Sequence, residues 1–122
     1  MNKHEFLKKS NGLPFIDHWW ASIEKTKTEI LSEEQLLNQA SYKFCKLLNL
    51  TIVSDHLHYF GPGISYVIVL AESHLSIHTW PEINYLYLDI VTCVPRLNKD
   101  NLSDAIERSF GSQNYEFSRI GF

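Results

Sequence analysis

Between Thr51 and Cys93 the chain runs almost without pause through strand-forming residues, interrupted only by tight punctuation, and no other stretch restricts the fold as much. TIVSDHLHYF is β-prone and leads into Gly61-Pro62-Gly63, a strong turn signal, after which ISYVIVLAE is a nearly continuous apolar strand. The two read as a hairpin. SHLSIHTW then alternates cleanly, with His74, Ser76 and His78 on one face and Leu75 and Ile77 on the other. Pro81 interrupts, and YLYLDIVTC reads as a further strand. Hairpins between neighbours predict a largely antiparallel sheet.

The flanks add the remaining elements. FIDHWWASI is aromatic-rich with a partial two-residue alternation and predicts a first strand, with order beginning near Phe15. Ser32 followed by Gln35 has the form of a capping box, and Leu36, Leu37, Ala40, Phe44, Leu47 and Leu48 fall on one stripe, which predicts an amphipathic helix over 33–48. Leu102, Ala105, Ile106 and Phe110 mark a second helix closed by Gly111, and NYEFSRI reads as a final edge strand. The expected class is α+β, a largely antiparallel sheet with two helices packed on one face. Residues 1–14, with Gly12 and Pro14 as breakers, read as a loose leader before a single domain over 15–122. A chain of 122 residues that is 44% hydrophobic supplies one core and is too short for two. With 11 basic and 14 acidic side chains, a net charge of -3 and no block of like charge, neither nucleic acid nor a membrane surface is an expected partner. No apolar run approaches the ~18 residues of a membrane span, and no apolar segment follows the N-terminal lysines, so a cytoplasmic protein with a small-molecule partner is expected.

The densest cluster of reactive groups is Glu72-Ser73-His74-Leu75-Ser76-Ile77-His78-Thr79-Trp80-Pro81-Glu82, with Cys93 one strand later. By residue type alone it has several uses. His74 and His78, with Glu72 or the His56/His58 pair, offer donors to a metal ion, but Ser76 stands between them and no spacing is diagnostic, so no metal is assigned. Ser73 or Cys93 with a histidine base would suit a hydrolase, yet there is no Gly-x-Ser-x-Gly elbow and no obvious orienting third group. A histidine-rich solvated strand face would need no chemistry at all. In a reducing compartment Cys45 and Cys93 read as one buried thiol and one of independent use, Cys45 lying beside the helical stripe as a small hydrophobe.

The whole string carries more than its single residues. ESHLSIHTWPE, an aromatic strand ending in Asp89-Ile90, and Thr92-Cys93 placed 20 residues after Ser73 resemble the short prokaryotic form of S-adenosylmethionine decarboxylase, a self-processing proenzyme. The resemblance is gap-free from about Leu50 to Cys93 and alignable from Ile30 to the C-terminus. It implies a pyruvoyl-dependent carboxy-lyase of polyamine biosynthesis whose cofactor is made from the chain. The hydroxyl matching Ser73 attacks the preceding carbonyl to give an ester, β-elimination cuts between Glu72 and Ser73, and the new N-terminus becomes a pyruvoyl group. Chains of 1–72 and 73–122 result. Such a carbonyl accepts the electrons of decarboxylation through a Schiff base, as no standard side chain does. By the same resemblance His78 and Ser65 assist processing, Cys93 is the general acid that returns a proton after carbon dioxide leaves, Glu82 grips the ribose hydroxyls and Tyr59 stacks on adenine. A homodimer of cleaved protomers, with pockets at or near its interface, is implied as well.

The likeness fails in the first strand. The family opens it with Gly-x-His and mixed small and apolar residues, where this chain has Phe15-Ile16-Asp17-His18-Trp19-Trp20 and an N-terminal extension. Two tryptophans filling adenosine's space, with Asp17 offering an anion to a basic tail, would suit a pyruvoyl-dependent arginine or ornithine decarboxylase. Tyr59 and Glu82 argue for S-adenosylmethionine, which is placed first. An inactive regulatory paralogue is a third reading, opposed by the presence of both Ser73 and Cys93.

Overall fold

The structure is a computed structural model that describes residues 12–120. Its strands are β1 (Asp17–Glu24), β2 (Ile52–Phe60), β3 (Gly63–Leu70), β4 (Ser73–Trp80), β5 (Tyr85–Thr92) and β6 (Asn114–Arg119). They form one sheet in the order β2-β3-β4-β5-β1-β6, with every neighbouring pair antiparallel. The sheet and its hairpins follow the alternation of the sequence. The leader expected over 1–14 lies, but for its last three residues, outside the described residues.

Three helices accompany the sheet: a short α1 (Thr28–Ser32), then α2 (Glu34–Leu47) and α3 (Lys99–Phe110). The two long ones are those expected. α2 buries Leu37, Ala40, Ser41, Phe44 and Cys45, and Phe44 meets Phe110 of α3 with ring centroids 5.6 Å apart. Both belong to one core with Trp19, Ala21, Ile23, Ile64, Tyr66, Ile68, Leu75, Ile77, Leu86, Leu88 and Ile90, which are alternate residues of the four inner strands. The helices therefore cover one face, and the intervening residues make an open face whose side chains are half-buried or exposed.

The helix starts correct one expectation. Ser32 does not cap α2, because α1 ends there and its Oγ donates to the Thr28 carbonyl, 2.8 Å away. α3 instead carries a reciprocal box in which the Asn98 and Asn101 side chains each accept from the other's backbone N–H at 2.8 and 2.9 Å. Gly111 closes α3 at φ 68°, a left-handed value that glycine adopts without penalty.

Candidate active site

Two clusters lie at opposite ends of the sheet. The first surrounds the β3–β4 turn, where Leu70 pairs with Ser73 and only Ala71 and Glu72 lie between. Glu72 sits at φ 62°, a left-handed conformation that costs an L residue with a Cβ about 1–2 kcal/mol. The peptide after it leads to Ser73, whose Oγ is buried without a hydrogen-bond partner. An unpaired hydroxyl away from water is itself unfavourable, so strain and an idle nucleophile adjoin. Ser73 also pairs with Thr92 across β4 and β5, which brings the free, half-buried Cys93 to the same end.

Asp17 pairs with that same Thr92 from β1. It is 3% exposed, and its two carboxylate oxygens accept from Arg119 Nε at 2.7 Å and Nη2 at 3.3 Å. The guanidinium also lies over the Trp19 ring, 4.7 Å from its centroid. Asp17, expected to offer an anionic group to a basic substrate tail, is thus already ion-paired with Arg119. The tryptophans divide between the faces, Trp19 in the core and Trp20 on the open side. Neither lines the cavity described next.

The second cluster is on the open face at the far end of β4. Ser65 and His78 are cross-strand partners, and Ser65 Oγ is hydrogen-bonded to His78 Nδ1 at 2.9 Å. Beside them is a cavity of about 260 Å³ lined by Phe60, Gly63, Ser65, His78, Trp80 and Glu82, among others. Glu82 reaches it from the 3₁₀ turn Pro81–Ile83, where the proline ends β4 and swings the chain over its rim. Tyr87, the partner of His78 on β5, is held in its neutral form by burial and by the charge of Asp89.

Tyr59 is not in this cavity. It pairs with Ile64, a core residue, and so points to the helix side, where it lines a groove with Glu33, Glu34, Asp55 and Tyr66. One step along a strand changes face, and Phe60 is the ring that meets Glu82's cavity. Counting parity from Ser65, whose partner is His58, would have shown it. Sequence reasoning also passed over Asp89. Its carboxylate accepts from Ser76 Oγ and lies 3.1 Å from His18 Nε2, a network at the centre of the open face.

The geometry has a plain consequence. Ser73 shares the parity of Leu75 and Ile77, whereas His78 lies on the other face five positions along, about 16 Å away at strand rise. Within one chain the idle hydroxyl and the serine–histidine pair do not meet. Among the described residues no group of three histidine, cysteine, aspartate or glutamate side chains is arranged to hold a metal ion, and no helix is long and apolar enough to cross a membrane.

Comparison with known proteins gives a consistent picture. A family model described as S-adenosylmethionine decarboxylase matches residues 17–121. The S-adenosylmethionine decarboxylase proenzyme of Thermococcus kodakarensis is 33% identical over 104 residues, 84% of this chain and 73% of that one. The proenzyme of Acidithiobacillus ferrooxidans is 35% identical over 83 residues, 67% of this chain but 62% of the relative, so the match spans about three-fifths of that protein's length. A solved structure, the adenosylmethionine decarboxylase from Aquifex aeolicus VF5, superposes with a TM-score of 0.74 at 24% identity, covering 88% of this chain and 89% of that one, which is a likeness of fold.

Proposed function

The chain belongs to the S-adenosylmethionine decarboxylase family, and from that premise we propose that it is a proenzyme which cuts itself between Glu72 and Ser73 and then decarboxylates S-adenosylmethionine. The observation that carries the proposal is the left-handed Glu72 joined to a buried, unpartnered Ser73 hydroxyl. Strain in the peptide to be broken and a nucleophile with no competing bond both lower the barrier to self-attack. The pyruvoyl group so formed at residue 73 would supply the electrophilic carbonyl that takes up the electron pair left by carbon dioxide. Cys93, at the same end of the sheet, is suited to return the proton as a free, half-buried thiol. Glu82, at the rim of the other cavity, is suited to accept from a ribose diol.

The separation of the two clusters supports a homodimer in which the end of the sheet that carries Ser73 and Cys93 in one chain meets the Ser65–His78 pair and the Glu82 cavity of the second. The open face carries apolar groups on both sides of the polar β4 row, with Val67 and Val69 exposed on β3, Tyr85, Tyr87 and Val91 half-buried on β5 and Trp20 on β1. A two-fold arrangement would create two equivalent sites. Engagement of Asp17 by Arg119 removes the anion on which a basic amino-acid substrate was expected to depend.

Intact mass and carbon dioxide release test the reading together. The purified protein should resolve into chains of 1–72 and 73–122, Ser73→Ala should remain whole, and the processed protein should release carbon dioxide from S-adenosylmethionine in preference to arginine or ornithine. A single uncut species, or turnover of a basic amino acid alone, defeats it.

A further inference from the structure

The reactive groups stand at the two ends of β4, and the middle of the open face between them has a composition of its own. On the four inner strands, among the described residues, this face carries no lysine or arginine, and apart from Glu24 at the rim its only carboxylate is Asp89. Asp89 pairs with Ser76 on β4 and with Trp20 on β1, and Ser76 pairs with Val67 on β3, so one row reads Val67, Ser76, Asp89, Trp20. One carboxylate oxygen accepts from Ser76 Oγ, and the other lies 3.1 Å from His18 Nε2. The Asp89 and His18 side chains are 30% and 25% exposed. A carboxylate set among Val67, Val91, Trp20 and Tyr87 needs such partners once water leaves.

A second copy would remove that water. The dimer lays the end of the sheet that carries Ser73 in one chain over the His78 end of the other. A two-fold axis that does so runs between the two faces and across the strands, and it crosses β4 midway between residues 73 and 78. That midpoint falls between Leu75 and Ser76, of which Ser76 is on the open face. The axis therefore follows the Ser76–Asp89 row, and residues of that row meet their own copies. Facing sheets stand about 10 Å apart at their backbones, which brings two inward carboxylates close together. Like charges so placed hold the faces apart unless they are offset. The cationic groups within reach are imidazoles: His18, already against Asp89, and His74 and His78, which flank Ser76 on β4.

We propose that His18 is the residue that lets two copies of this chain close on one another, because it offsets the two Asp89 carboxylates that the two-fold axis brings face to face. The assignment rests on the dimer reading above and deepens it by fixing where the axis lies. His18 is a positioning residue that acts on the reaction through assembly.

Equilibrium sedimentation of the uncut Ser73→Ala protein tests the role of His18. His18→Gln should raise the dimer dissociation constant about tenfold or more, because an amide forms hydrogen bonds but carries no charge. Asp89→Asn, added to His18→Gln, should restore dimerisation, since with the carboxylates gone there is no repulsion to offset. Loss of a merely structural residue would not be rescued in this way. The place of the axis is read separately, with a short thiol–thiol cross-linker on a Ser73→Ala, Cys93→Ala background. Ser76→Cys should join to its own copy. Val69→Cys, one row or about 7 Å along the strands from the axis, lies about 14 Å from its copy in that direction and should not. A double variant that dimerises as poorly as His18→Gln, or Val69→Cys joining where Ser76→Cys does not, overturns the proposal, and carbon dioxide release from S-adenosylmethionine by the processed wild type shows that the decarboxylase reading stands without it. A wild-type protein that is monomeric yet cut and active overturns the dimer and the role of His18 together.

Discussion

Co-expression of two crippled chains tests whether Ser73 meets its own His78 or another's. Ser73→Ala lacks the nucleophile, His78→Ala lacks the imidazole, and each alone should remain uncut. The separation of about 16 Å along β4, with the two side chains on opposite faces, is a gap that no imidazole bridges. If the two clusters meet only across a two-fold axis, a mixed dimer contains one site with both mutations and one with neither. The complete site holds the intact Ser73 of the His78→Ala chain. Random pairing of equal amounts makes about half of the dimers mixed, so about half of the His78→Ala chains should be cut and none of the Ser73→Ala chains. Raising the share of Ser73→Ala chains should carry cleavage of the other chain towards completion. Distinct tags and intact mass distinguish the products. His78→Ala chains that stay whole at every ratio, in dimers shown to be mixed, would refute the arrangement, as would cleavage of His78→Ala alone at the wild-type rate.

Other consequences are separately testable. Burial pushes the Cys45 thiol up to about 12, so a thiol reagent at pH 8 should label Cys93 alone in the native protein and both cysteines in denaturant; equal native labelling would contradict the buried setting. Hydrogen bonds from Tyr42 and Tyr66, both 2.7 Å, hold the Asp55 carboxyl below the usual carboxylate range. Its folded value lies below its unfolded value, so its stabilisation is present above about pH 4 and is lost as pH falls through the folded value. Asp55→Asn should flatten the acid loss of urea stability, and an unchanged pH slope would remove Asp55 from that role. Gly63→Ala should cost about 1–3 kcal/mol in urea unfolding of the Ser73→Ala background, because the added methyl meets a backbone carbonyl that cannot swing aside; wild-type stability there would show that β3 and β4 separate easily.

Much of the architecture could be read from period alone. The split of His74, Ser76 and His78 from Leu75 and Ile77 is the split between the open face and the core. What period alone leaves open is which strand residues share a face across a hairpin: Tyr59 pairs with Ile64 on the helix side, while Phe60 pairs with Gly63 on the open face. A similarity aligned by sequence position carries a residue's type but not its parity. The ion pair of Asp17 was out of reach for another reason. Its partner Arg119 is 102 residues away, brought beside it only because β6 pairs with β1, and no local pattern encodes that encounter. The unreciprocated Ser32 shows a third limit, since a capping signature applies to whichever helix end the chain supplies, and α1 ended there first. Asn98 and Asn101, with the same spacing in amide form, held the box that Ser32 and Gln35 did not.

The strand order bears on what a cut at the β3–β4 turn would do to the molecule. β1 to β3 precede that turn and β4 to β6 follow it, yet β1 is inserted between β5 and β6. Each product is therefore clasped by the other: β3 lies along β4, and β1 is bonded on both edges by strands of the opposite piece. The Asp17–Arg119 ion pair spans the pieces too, fastening the start of β1 to the end of β6. Breaking Glu72–Ser73 removes one covalent link and no ladder. Such a scission would free a terminus without freeing a fragment, and the two pieces would behave as a braid of two strings that separates only when the whole sheet melts.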